Sequence, residues 1–169
     1  MTTDTDTRTA HPRRRATDAP DAVALLWHEH RRFLDQFDTY HRLLQSHAPA
    51  PEREYLAAQV CHGLLVHMDL EERLFYPAVA RQMRDQTLVG EAVVEHRATR
   101  ALVTRIRSTR ATDPMLDARM KVLAEHFRHH LTEEESELFP VARRRLDVQA
   151  LGVQLHALRQ RLIAPFSPT

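Results

Sequence analysis

His67-Met68-Asp69-Leu70-Glu71-Glu72-Arg73-Leu74-Phe75-Tyr76-Pro77 returns later in the chain as His130-Leu131-Thr132-Glu133-Glu134-Glu135-Ser136-Glu137-Leu138-Phe139-Pro140. Both copies read His-x-x-x-Glu-Glu-x-x-x-x-Pro, with Leu-Phe offset by one residue. A second, shorter repeat precedes each copy: Glu29-His30-Arg31 and Glu95-His96-Arg97. Internal repetition of this kind marks a structural unit used twice. Residues i and i+4 share one face of a helix, so His-x-x-x-Glu aims an imidazole and a carboxylate at one spot. Each half of the chain then reads as a helix hairpin, with one His on its first helix and His-x-x-x-Glu on its second. Two such hairpins packed face to face give a pseudo-twofold bundle.

The surrounding sequence fits helices throughout. Residues 1–19 mix Thr, Asp, Arg and Pro with almost nothing apolar, so 1–20 reads as a disordered tail. A single domain is expected over 21–163, with 164–169 as a C-terminal tail. Segment A (21–47) places Leu26, His30, Phe33 and Phe37 at helical spacing. Ala48-Pro49-Ala50-Pro51 breaks it, and Pro51 suits the first turn of the next helix. Segment B (52–84) lines up Leu56, Val60, Leu64, His67, Glu71 and Phe75, and Pro77 is expected to kink or shorten its end. Segment C covers 87–110. Thr112-Asp113-Pro114 reads as a cap and first helical residue for segment D (114–145), and Asp147 opens a short last helix. The predicted fold is all-α, an up-down-up-down four-helix bundle with a short extra C-terminal helix.

Bulk properties exclude several alternatives. A formal charge of +1, with no basic stripe interleaved with aromatics, argues against a nucleic-acid surface. No apolar run approaches the length needed to cross a bilayer. Arg13-Arg14-Arg15 has no hydrophobic stretch behind it, so no export signal is read and the cytoplasm is the expected compartment. Cys61 is the single cysteine, which rules out an intrachain disulfide or a cysteine-based zinc site. A histidine-phosphotransfer bundle would place a Lys beside an exposed His, and Lys121 is the one lysine.

What stands out is 12 histidines beside only 9 residues of Phe and Tyr. Advancing about 100° per residue puts His67 and Glu71 within the apolar stripe of segment B, with Glu72 on its flank. In segment D the stripe brackets His130 and Glu134, and Glu135 sits at its edge. His30 lies among Leu26, Phe33 and Phe37, whereas His28 has Arg31 and Arg32 one turn on and reads as solvated. His96 shares a side with Ala92, Val93 and Val103. Four imidazoles and two carboxylates thus point into one core, where an uncompensated charge costs on the order of several kcal/mol. Metal ions remove that cost, and this nitrogen-and-oxygen donor set suits iron, manganese or zinc.

These motifs, Glu29-His30, His67-x-x-x-Glu71-Glu72 with Leu74-Phe75-x-Pro77, Glu95-His96, and His130-x-x-x-Glu134-Glu135 with Leu138-Phe139-Pro140, resemble the haemerythrin-like, or HHE cation-binding, domain family over about residues 21–163. The resemblance implies two iron ions per chain, joined by an oxo or hydroxo bridge and by both glutamates, with zinc or manganese as substitutes. It implies His30, His67, Glu71, His96, His130 and Glu134 as ligands. The ligand set is most similar to that of bacterial repair-of-iron-centres proteins, which also use four His and two Glu. Oxygen-carrying haemerythrins differ at two places: Arg100 stands where carriers put a further His, and the last motif is His-x-x-x-Glu. His126, one turn before His130, is expected to act near the centre or along a channel rather than as a ligand. The implied function is a di-iron protein reacting with O2, peroxide or nitric oxide in a stress or redox role, with weak catalase or peroxidase activity. Its expected partners are such small ligands and a redox partner that the residues do not identify. The alternative is a sensor or storage protein holding iron or zinc without redox chemistry.

Overall fold

The computed structural model describes residues 20–163. The two tails expected at 1–20 and 164–169 fall almost wholly outside them. Among the described residues there are helices and no strands: α1 (Ala22–Gln45), α2 (Ala50–Leu70), α3 (Tyr76–Ala80), α4 (Thr87–Arg107), α5 (Met115–Glu133), α6 (Phe139–Arg145) and α7 (Val148–Ile163). None of them is long and apolar enough to cross a membrane.

Local chemistry sets the ends. Asp21 accepts from Ala24 N at 2.7 Å to cap α1, and Asp147 does the same for Ala150 N at 2.9 Å at the start of α7. Asp113 Oδ1 accepts from Met115 N, so Pro114 lies just before α5 and not inside it. Pro77 was expected to kink or shorten its helix, and the helix is disturbed just before it and ends at Ala80. The chain takes one π-helical turn, Glu71–Phe75, and continues as α3; a second π turn, Glu134–Leu138, joins α5 to α6. The reason lies in the prolines. In an unbroken α-helix each ring would collide with the carbonyl four residues back and leave it without a donor. The wider turn relieves that clash, and Tyr76 N and Phe139 N donate to the Glu71 and Glu134 carbonyls.

α1 packs on α2, α4 on α5, α1 on α5 and α2 on α4, which closes a ring of four long helices. α7 lies across α1 and α2. Gly152 makes this fit possible, because a Cβ there would come within 2.4 Å of the Pro20 carbonyl oxygen. The interior falls into two apolar clusters. One contains Phe33, Phe37, Val60, Leu64, Met120 and Phe127; the other contains Leu26, Leu70, Phe75, Val79, Leu138 and Leu155. His30 on α1 and His96 on α4 sit between the parts belonging to the two clusters, and Glu71 and Glu134 follow Met68 and Leu131 of the first cluster and precede Phe75 and Leu138 of the second. A charged layer therefore crosses an otherwise apolar core.

Candidate metal centre

That layer consists of His30 on α1, His67 on α2, His96 on α4, His130 on α5, and Glu71 and Glu134 at the heads of the two π turns. All six are buried, Glu71 and His30 completely. Two groupings share Glu71: His30, His67, Glu71 and Glu134 bring one ligand atom each within 4.8 Å of one another, as do Glu71, His96 and His130. Glu71 spans them. Its Oε1 lies 3.1 Å from His67 Nε2 and its Oε2 lies 3.4 Å from His96 Nε2. Glu134 Oε2 also faces both sides, 3.4 Å from His30 Nε2 and 3.6 Å from His130 Nε2. The structure brings together every residue the sequence pattern singled out.

A second ring encloses the first. His30 Nδ1 donates to Glu135 at 3.0 Å, His67 Nδ1 to Glu29 at 3.0 Å, His96 Nδ1 to Glu72 at 2.9 Å, and His130 Nδ1 to Glu95 at 2.8 Å. The pairs obey the pseudo-twofold: Glu29 with His67 corresponds to Glu95 with His130, and His30 with Glu135 to His96 with Glu72. An ionised carboxylate can only accept, so each contact fixes the hydrogen on Nδ1 and turns Nε2 inward with a bare lone pair. Arginines hold three of the four outer carboxylates in turn. Arg159 on α7 reaches Glu29 at 2.7 Å, Arg31 reaches Glu135 at 2.6 Å, and Arg100 reaches Glu72 at 3.2 Å and Asp69 at 2.8 Å. Arg100 thus braces the outer ring. His28 is exposed, as its helical position predicted, and His126 is exposed as well.

The inner ring holds acceptors without donors. Buried His30 Nε2, His67 Nε2 and all four carboxylate oxygens of Glu71 and Glu134 have no hydrogen-bond partner. Electrostatics points the same way. Burial works against charge on His67, but the nearby Glu71 charge and the bond to Glu29 outweigh it and lift its pKa to about 9. His30 is likewise raised despite burial, by Glu134, Glu135 and Glu71. Burial would raise Glu71, yet His67, His30 and His96 hold its carboxyl well below the usual range. The pocket is built to take positive charge.

The shell is apolar on one side and leads outward on another. Phe139 stacks on His30 with 5.4 Å between rings, and Phe33 lies against His67. Between α4 and α5 a cavity of about 330 Å³ opens to solvent, lined by Glu95, Thr99, His126, His129 and His130. It shares Thr99 and His130 with a space of about 10 Å³ beside His67 and His96, the size that one water needs. His126 therefore stands along the approach to the centre.

The family model for the haemerythrin HHE cation-binding domain matches residues 21–142. The chain belongs to this family. Its fold is also that of a solved haemerythrin HHE cation-binding domain-containing protein from Mycobacterium kansasii, with a TM-score of 0.69 at 20% identity over 86% of this chain and 89% of that one. No curated protein matches the chain. The four outer glutamates and Tyr76 were not assigned a role from the sequence of this haemerythrin-like protein. A signal for the glutamates was present, since each one recurs beside its His or Glu in both repeats.

Proposed function

We propose that this chain is a cytoplasmic, haemerythrin-like di-iron protein that reacts with O2, peroxide or nitric oxide. On this reading the four long helices run up-down-up-down, and the ligands are His30, His67, Glu71, His96, His130 and Glu134. The observation that carries it is the ring of bare acceptors. Six buried nitrogen and carboxylate-oxygen atoms lack any partner, and the Nδ1 bonds direct four imidazole lone pairs to the same volume. Buried polar atoms left unmade cost about 1–3 kcal/mol each, so the set makes sense around cations. Two ions are favoured over one because Glu71 and Glu134 each face histidines of both groupings.

Bound iron would supply redox equivalents and open coordination positions for a small ligand. The protein's own residues do the rest. The outer glutamates hold the imidazoles in one tautomer and orientation, Phe139 and Phe33 exclude water, and Thr99 and His130 line both the open cavity and the small space beside the centre. The free, buried Cys61 fits a reducing compartment. Weak peroxidase or catalase turnover belongs to the same reading.

Metal analysis and optical spectra of protein grown with iron test the proposal. Two iron ions per chain, with an oxo-bridged absorption that bleaches with dithionite and returns in air, are expected. One ion per chain, or none, would refute it. Zinc without any optical change would support a sensor or storage role instead.

A further inference from the structure

The two halves of the centre differ at the residue preceding each repeat proline. Before Pro140 stands Phe139, whose ring covers His30 and carries no donor or acceptor. Before Pro77 stands Tyr76, which is 2% exposed. Its Oη lies 3.1 Å from His96 Nε2 and 3.5 Å from His130 Nε2, the two nitrogens that face inward.

Ligand atoms about 2.1 Å from one ion lie roughly 3.0 Å apart at octahedral angles and roughly 3.4 Å apart at tetrahedral ones. His96 and His130 Nε2 are 3.2 Å apart, and His96 Nε2 is 3.4 Å from Glu71. Tyr76 Oη belongs to this set by distance. A hydrogen bond alone does not account for it. With both Nδ1 hydrogens turned to Glu72 and Glu95, the phenolic proton is the one hydrogen for the contacts among Tyr76 Oη, His96 Nε2 and His130 Nε2, the two nitrogens being 3.2 Å apart. A cation among His96, His130 and Tyr76 satisfies all three atoms.

We propose that Tyr76 is a metal ligand, its phenolate oxygen bound to the ion held by His96 and His130. The inference rests on the dimetal reading above. Ligation forms one metal–oxygen bond and breaks the phenolic O–H bond, the proton passing to water, with no change of oxidation state. The added anionic ligand favours ferric over ferrous iron at that ion, and it makes the two ions chemically distinct although the repeat makes their histidines alike.

Resonance Raman and visible absorption of the iron-loaded full chain, with iron content measured on the same samples, test this against Tyr76→Phe. The substitution removes one oxygen and keeps the ring that packs with Phe75. Wild type is expected to show a phenolate-to-iron(III) charge-transfer band with enhanced tyrosine-ring vibrations. Y76F is expected to lose both while retaining two irons and the bridge absorption. If Y76F failed to hold iron, the wild-type Raman spectrum would decide by itself. Two irons in wild type without phenolate vibrations would overturn the proposal and leave the dimetal reading standing. Absence of iron would overturn both.

Discussion

Glu72→Ala removes a carboxylate that lies outside the inner ring, and its helical position on the flank of α2's apolar stripe suggests a minor effect. The geometry predicts otherwise. Glu72 accepts from His96 Nδ1 at 2.9 Å and from Arg100 at 3.2 Å, while Arg100 keeps a second partner in Asp69 at 2.8 Å. The loss that matters is therefore at His96. A half-satisfied buried N–H costs about 1–3 kcal/mol, and removing the outer partner of a ligating imidazole lowers metal affinity about 10–100-fold. The latter corresponds to about 1.4–2.8 kcal/mol, so the two routes agree. Anaerobic competition for iron(II), or for zinc, against a chelator of known strength measures it directly. Glu72→Ala should weaken binding by that factor, and Glu135→Ala should match it through His30. Asp69→Ala, which also frees Arg100 but spares the His96 bond, should stay within about twofold. Wild-type affinity in Glu72→Ala, or equal losses in Glu72→Ala and Asp69→Ala, would show that the Nδ1 bond does not orient His96.

Other outcomes are equally specific. The metal-free protein should lose stability as pH rises from neutrality toward 9. His67, lifted from an ordinary value near 6.5 to about 9 in the fold, stabilises the native state fully below the lower value and not at all well above the upper one. Thermal melts across that range check it, and a midpoint that rose with pH would contradict it. Thr99→Leu, at the wall shared by the outer cavity and the inner space, should slow azide or nitric oxide binding at least several-fold with metal content unchanged; stopped-flow mixing reads the rate. Reduced protein mixed with O2 should oxidise and stay oxidised, because Arg100 braces Glu72 and supplies no additional imidazole. A long-lived oxygenated spectrum that reverses under vacuum would refute this.

How much of this was legible beforehand follows from the range over which each contact acts. The inner residues were readable because His-x-x-x-Glu is a one-turn relation, and four apolar stripes pointed to one interior. The outer ring was harder to read. Glu29 and His67 are 38 positions apart and His30 and Glu135 are 105 apart, so each pairing exists only once helices have docked. A glutamate at the edge of a stripe looks solvated until another helix brings an imidazole to it. Arg159 is further removed still, since it reaches Glu29 only because Gly152 lets α7 settle against the start of α1. Tyr76 was hidden by the backbone itself. Five residues after Glu71, it would lie about 140° around an ideal α-helix from that carboxylate, which reads as a core aromatic facing elsewhere. The π turn takes up one additional residue and turns everything after it back by roughly 100°. That leaves Tyr76 about 40° from Glu71 and aims its phenol at His96. The same turn aims Phe139 toward His30. The two prolines, legible as helix disturbances, thus act as the device that brings a residue from the following helix to each half of the centre. Which residue each one delivers, phenol or phenyl, is what makes the halves differ.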